Sequence, residues 1–343
     1  MQRPERFPRA LALRRTRKWI WPGLFASAAM GVSALAPVCL VQAADYPTKS
    51  IRFINPTAPG GTAEPLARAV AQKMSESLGQ TVVVDSRGGA GGTVGTAIAA
   101  NAAPDGYTIL LGVVSPMAIN VTLYGAKLPY DPLKHFAPVS LITKVPQVLS
   151  VHPSLAATSI KQLIELAKEP KSKLNYGSAG SGTTGHLVAE LLKKRAAIAM
   201  THVPFKGSGP ALSALLSSDV GVMLSGPPAV IGMAQAGRLR ILATSGTSRT
   251  PVLPEVPTFI ESGLPIDVTS WYCLVVPAGT PQPIVTKLHA ATVSALKSTQ
   301  VSDTLLKMGA PPEWSTPQQL SVFLRDEIKK FAEVLKIAGA TLD

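Results

Sequence analysis

The densest chemical signal in this 343-residue chain lies in three glycine-rich segments. They are Pro59-Gly60-Gly61-Thr62, Gly88 to Thr93, and the run Asn175-Tyr176-Gly177-Ser178-Ala179-Gly180-Ser181-Gly182-Thr183-Thr184. Each falls where a β-like stretch hands over to helical spacing. Glycine lets the main chain come close to a bound group, and a helix start offers unpaired N–H groups and a positive dipole end. Together these hold an anion without any charged side chain. A single such loop reads as a turn. The first and third taken together read as a binding pair.

Other chemistries find less support. Gly180 to Gly185 matches the dinucleotide fingerprint G-x-G-x-x-G, which calls for an acidic residue about twenty positions later to hold a ribose. Between Glu190 and Asp219 there is no Asp or Glu, so a nicotinamide cofactor is rejected and none is expected. The sequence has no H-E-x-x-H, no Walker-type loop and no G-x-S-x-G elbow. His186 and Glu190 share a helix face and read as a surface or capping contact, not a metal site. Ser178 or Ser181 with His186 would make a nucleophile–base pair, but no carboxylate is identifiable to orient it.

Alternating elements must carry these loops. Ile51 to Ile54 reads as a strand, followed by a helix with Leu66, Val70, Met74 and Leu78 on one face and Gly79 at its end. Further strands are expected at 81–84, 108–114, 174–177, 200–204, 220–224, 239–244 and 271–276. Helices are expected at 159–168, where Ser159 and Gln162 form a capping box, and at 184–196, 208–217, 228–236, 281–297 and 316–338. This alternation predicts an α/β protein with mostly parallel sheets covered on both faces. Two long extended segments, 139–151 and 268–276, read as crossings between domains. They predict a discontinuous first domain (45–147 and 272–343), a continuous second domain (148–271) and a hinge between them.

Composition bounds the partners. The formal net charge is +13, but residues 1–43 supply +6 of it. The remaining basic residues are scattered, and aromatics make up only 5%, so a nucleic-acid surface is not expected. The first 43 residues read as a signal peptide: a cationic stretch from Arg14 to Lys18, an apolar run from Trp19 to Val41, and Val41-Gln42-Ala43 at the cleavage site. An uncleaved anchor is the alternative, and Arg14-Arg15 leaves the general secretory and twin-arginine routes both open. Cleavage near Ala43 leaves one cysteine, Cys273, in an apolar run where it reads as buried and inert.

The colinear motifs carry a resemblance over nearly all of the mature chain. They include Tyr46 to Arg52, Pro59-Gly60-Gly61, Gly88 to Gly92, Ala103 to Thr108, Leu128 to Pro132, Leu174 to Gly180, His202 to Ser208, Pro254 to Thr258 and Pro277 to Pro281. In these the chain resembles the Bug-type periplasmic receptors of tripartite tricarboxylate transporters. The resemblance implies a type II periplasmic-binding-protein fold, two doubly wound α/β domains joined by a hinge. It implies a non-catalytic, monomeric receptor in the periplasm that hands a small carboxylate to membrane transporter subunits. It also implies that Pro59 to Ala63 and Ser178 to Thr183 come from opposite domains and grip the carboxylate through N–H groups, hydroxyls and water. The expected ligand residues are therefore Pro59, Gly60, Gly61, Thr62, Ser178, Ala179, Gly180, Gly182 and Thr183, with Ser115, Ser225 and Trp271 as further candidates for the cleft.

Departures from the family pattern sharpen the ligand. Glu64 stands where an Asp is usual, and Leu224-Ser225-Gly226 replaces a Phe-Asp segment whose Asp meets amino groups in receptors for amino acids. Val113-Val114-Ser115-Pro116-Met117 is more apolar than the hydroxyl-rich stretch common there. A ligand with one firmly held carboxylate and a less polar remainder, aromatic or otherwise partly apolar, is expected. Lys206 reads as a surface or hinge residue. Two rival readings remain: a sensing module that docks on a membrane signalling protein, and a hydrolase using a loop serine.

Overall fold

The structure is a computed structural model that describes residues 46–341. The signal-peptide expectation, with its cleavage near Ala43, lies outside the described residues. Two five-stranded sheets organise the chain. The first is built from β1 (Ile51–Asn55), β2 (Val82–Ser86), β3 (Thr108–Val113), β4 (Phe136–Pro146) and, much later, β10 (Thr269–Pro277), in the order β2-β1-β3-β10-β4. The second takes β5 (Val148–Val151), β6 (Asn175–Ser178), β7 (Thr201–Pro204), β8 (Val222–Ser225) and β9 (Arg240–Thr244), in the order β7-β6-β8-β5-β9. Only Gln147 separates β4 from β5, so the long extended segment at 139–151 is two strands in two different sheets.

The sheets are mixed, which corrects the expectation of mostly parallel pairing. β1 runs parallel to β2 and β3, and β6 runs parallel to β7 and β8. β10 is antiparallel to both β3 and β4, and β5 to both β8 and β9. The physical reason lies in how these two strands arrive. A parallel neighbour needs a crossover of a dozen or more residues, usually a helix. β5 and β10 instead enter their sheets directly from extended chain, and no helical return fixes their direction.

Helices α1 (Ala63–Leu78), α2 (Thr93–Ala100), α3 (Asn120–Tyr124), α4 (Pro132–His135), α5 (Ile160–Lys168), α6 (Thr184–Ala196), α7 (Ser208–Leu216), α8 (Pro227–Gln235), α9 (Gln282–Lys297), α10 (Thr299–Lys307) and α11 (Pro317–Ala338) cover the sheets. Their ends follow local chemistry. α1 buries Leu66, Val70, Met74 and Leu78 and stops at Gly79, which is left-handed (φ 68°) and donates its N–H to Ser75 O. α11 has a full capping box between Thr316 and Gln319 and ends at left-handed Gly339. At α5 the expected box is displaced by one residue. Ser159 Oγ accepts from Gln162 N (3.2 Å), but Gln162 Oε1 accepts from the Thr158 N–H (2.7 Å). Among the described residues no helix is long and apolar enough to cross a membrane.

The core runs through the middle of each sheet. Phe53, Ile54, Leu110, Leu111, Leu274 and Val275 are fully buried in the first, and Tyr176, Val222 and Ala243 in the second. Cys273 is buried beside Gly112, where an added Cβ would lie 2.5 Å from its Sγ. Burial pushes its thiol well above the ordinary range, so the side chain stays protonated.

Candidate functional site

A cavity of about 340 Å³ opens where the strand ends of the two sheets meet. Its walls come chiefly from the segments that follow β1, β2, β3, β6, β7 and β8. All of these leave the carboxyl ends of strands, which is where open α/β sheets present their ligand sites. Among the sequence-selected residues, Gly61, Thr62, Ser115, Ala179, Gly180, Thr183 and Ser225 line the cavity together. Residues 61–62 and 179–183 therefore share one space, although they stand on different sheets.

The remaining selected residues lie elsewhere. Pro59 and Gly60 are exposed on the outer side of the first loop. Ser178 is fully buried behind the third loop, and Gly182 packs against Asn120, where a Cβ would lie 2.6 Å from Asn120 Oδ1. Trp271 belongs to the core instead of the cleft wall. Its indole N–H donates to Glu327 Oε2 (2.8 Å) and its ring meets Phe323 edge-on. Strand alternation is the cause: Ser270 and Tyr272 line the cavity, so Trp271 between them points to the other face.

The main-chain N–H groups divide into those spent within the loops and those left over. In the first loop Gly60 N–H goes to Glu64 Oε2 (2.7 Å), while Arg68 holds Glu64 Oε1 at 2.6 Å. The N–H groups of Gly61, Thr62 and Ala63 take no acceptor among the described residues, and they stand at the start of α1. In the third loop Gly180 N–H goes to Ser178 Oγ (3.1 Å) and Gly182 N–H to His186 Nδ1 (3.2 Å). Thr183 spends both its N–H and its hydroxyl on Gly180 O. Ala179 N–H has no acceptor among the described residues, and the start of α6 lines the wall through Thr184 and Gly185.

Side chains complete the site. Thr62 Oγ1 is buried and without a hydrogen-bond partner. A hydrogen-bonded chain crosses the floor: Gln147 Nε2 donates to Ser270 Oγ, and Ser270 Oγ to Thr184 Oγ1, each at 3.0 Å. It ties the β4–β5 junction to β10 and to the start of α6. Val113, Tyr124, Phe205, Leu224 and Tyr272 give apolar wall. Among the described residues no Asp or Glu lines the cavity, and exposed Lys206 is the one charged residue on its wall. Such a space accepts an anionic head on amides and hydroxyls and an apolar body on the walls.

Sequence reasoning missed part of this. Gly89 to Gly92 of the second glycine loop line the cavity as well, and a Cβ on Gly91 would lie 3.0 Å from Ser181 O. That loop carried the same signal as its neighbours. Gln147 and Ser270 carried none, because their role, shared with Thr184 at the end of the third loop, arises from the meeting of three separated segments.

Two mixed α/β sheets joined by strand crossings, with a cavity at the meeting of their loops, define a two-domain periplasmic-binding-protein fold. Residues 66–340 match the family described as "Tripartite tricarboxylate transporter family receptor". The chain is 38% identical to Protein BugT of Bordetella pertussis over 304 residues, 88% of this chain and 93% of that protein. A structure of Rpa4515 of R. palustris with adipate is 36% identical and superposes with a TM-score of 0.84, covering 87% of this chain and 100% of that one. MatC of Rhodopseudomonas palustris with bound malate is 32% identical with a TM-score of 0.80, over 84% of this chain and 100% of that one. The chain belongs to the tripartite tricarboxylate transporter receptor family, a family of periplasmic solute-binding receptors.

Proposed function

We propose that this protein is exported, with its leader cleaved near Ala43, and that it binds a small carboxylate and delivers it to the membrane subunits of a tripartite transporter. One observation carries the reading. Gly61 to Ala63 and Ala179, whose N–H groups are unspent, line one cavity, and among the described residues its lining contains no acidic side chain. Each hydrogen bond to a charged carboxylate contributes roughly 1.5–3 kcal/mol, so donors from both sides favour the closed form over an open one. A ligand closes the cleft only through this differential affinity. The two passages of chain at Gln147 and near Thr269 are the natural hinge. The adipate and malate bound by the two related structures agree with a carboxylate head.

The rest of the ligand is less polar than a tricarboxylate. Tyr124, Phe205, Leu224 and Tyr272 offer apolar and aromatic contact, and Ser225 brings no carboxylate to meet an amino group. A thermal-shift screen of aliphatic mono-, di- and tricarboxylates, aromatic acids, amino acids and sugars tests this. At a hundredfold excess over Kd a ligand adds about 2.7 kcal/mol of stability. The expected responders are acids with one carboxylate and an apolar remainder. A response only to citrate-like acids, or only to neutral compounds, would overturn the reading.

The hydrolase alternative draws on the 2.7 Å contact between Ser178 Oγ and His202 Nε2. Against it, Ser178 is fully buried and does not line the cavity. Ester turnover that disappears in Ser178→Ala would restore it.

A further inference from the structure

Beneath the third glycine loop three rings lie in a stack. Tyr176 and His202 are 4.8 Å apart between centroids and inclined by 18°, and His202 and His186 are 4.3 Å apart and inclined by 11°. The rings come from three elements, β6, β7 and α6, so the stack joins the strand that enters the loop to the helix that leaves it. Tyr176 is anchored at its far end, where its hydroxyl donates to Glu190 Oε1 (2.6 Å), which also holds Lys193 Nζ (2.8 Å). Each imidazole also contacts the glycine loop. His202 Nε2 meets Ser178 Oγ, which accepts the Gly180 N–H. His186 Nδ1 accepts the Gly182 N–H, and therefore carries no proton on that nitrogen.

We propose that His186 and His202 are positioning residues for the anion loop: His186 holds the Gly182 amide directly, His202 holds the Gly180 amide through Ser178 Oγ, and together they decide which N–H groups remain for the guest. The inference rests on the receptor reading given above. The loop's own bonds, from the Thr183 N–H and hydroxyl to Gly180 O, leave the Gly180 and Gly182 amides to other partners. Gly180 and Gly182 sit at φ +124° and +76°, where glycine has the most freedom to lose, and no large side chain between 179 and 183 reaches the core. A phenylalanine at either histidine would keep the stack and lose the ring nitrogen that meets the Gly182 N–H or Ser178 Oγ. With both imidazoles in place the loop is ordered before a ligand arrives, and preorganisation of this kind raises affinity by removing an ordering cost from the binding step.

Amide hydrogen exchange of the ligand-free protein, read by NMR at Gly180 and Gly182, tests the proposal without needing the ligand. His186→Leu is expected to speed exchange at Gly182, and His202→Leu at Gly180, by roughly 3- to 10-fold, the range one lost hydrogen bond commands. His186→Asn and His202→Gln restore an acceptor at about the same distance and are expected to return most of the protection. That rescue separates positioning from bulk packing, since Leu fills the space and Asn does not. Wild-type exchange in the Leu variants, or Asn and Gln variants as unprotected as Leu, would overturn the inference. Should the Leu variants not fold, His202→Phe keeps a ring in the stack and removes only the nitrogen that meets Ser178 Oγ. Faster Gly180 exchange then supports the proposal, and unchanged exchange sinks it. Failure of the receptor reading shows separately, as a wild-type protein that responds to no carboxylate in the thermal-shift screen.

Discussion

The first and third glycine loops face the same cavity and open the same kind of helix, yet they are braced in opposite ways. Residues 58–62 are held from the solvent side, by the Glu64 carboxylate on Gly60 N–H and the Arg68 guanidinium behind it. Residues 178–183 are held from the protein side, by a buried hydroxyl and a stack of rings. The exposed Arg68 end of the first brace is worth a few tenths of a kcal/mol and is screened by salt. A buried hydrogen bond has no water to replace it and costs more to lose. The first loop is therefore the adjustable half of the clamp and the third the fixed half. The first loop also makes the close approach across the cleft: a Cβ on Gly209 would sit 2.9 Å from Pro59 O, and one on Gly207 2.7 Å from Ala58 Cβ.

That approach gives the largest expected effect. Gly209 lies in α7 with no positive φ, so valine there suits the helix slightly better than glycine. Its branched side chain would nonetheless press on the Pro59 carbonyl, a main-chain atom that cannot turn aside, at a typical cost of 1–3 kcal/mol. Gly209→Val should leave the melting temperature of the free protein equal or slightly raised and weaken binding of the best acid from the screen by about a hundredfold. Isothermal titration checks it. Unchanged affinity would mean that the first loop does not close on α7.

Next in size is Thr62→Val, which keeps shape and removes the unpartnered hydroxyl at the cavity. Without ligand the variant should gain about 1 kcal/mol, because a buried group lacking a partner disappears. With ligand it should lose about tenfold in affinity, the low end of a bond to a charged carboxylate. Opposite signs in the two measurements are the test. If stability and affinity fall together, Thr62 is structural.

Much of this division is invisible in the sequence. The helices came from spacing and caps, and α1, α6 and α11 run nearly as their apolar periods and end signals demand. α10 is not among the expected helices, although Ser298 caps it and Val301 and Leu305 are buried four apart; its nine residues follow α9 almost without a break. The glycine loops were legible because glycine at a strand-to-helix turn has a physical reason to be there. Which amides within them are free was not. Gly60 and Gly182 look like ideal donors in the sequence, but Glu64 and His186, each four residues away, take their N–H groups. Trp271 was unreadable for a different reason: strand alternation fixes that neighbours point to opposite faces without saying which face is the cleft. Gln147 stood inside what read as one extended run, and its importance comes only from the change of sheet at that residue.

The smallest effect probes the outer brace itself. Glu64→Gln keeps an oxygen for Gly60 N–H and removes the charge that Arg68 holds, so at neutral pH affinity should change by less than about twofold, as expected for an i,i+4 pair worth roughly 0.3–0.5 kcal/mol. The pH dependence sharpens this. Glu64 is held below the usual glutamate value, first by the Gly60 N–H and then by Arg68. A carboxylate of that kind contributes stability that is fully present above its unfolded value of about 4.3 and is lost as pH falls through the lower folded value. Urea denaturation of the two proteins should therefore differ slightly at pH 7 and converge in acid, with the wild type losing the difference below about pH 4. The comparison breaks if Glu64→Gln loosens its loop as much as His186→Leu loosens the other. In that event the solvent-side carboxylate would be holding its loop as firmly as the buried rings hold theirs, and the clamp would have two fixed halves.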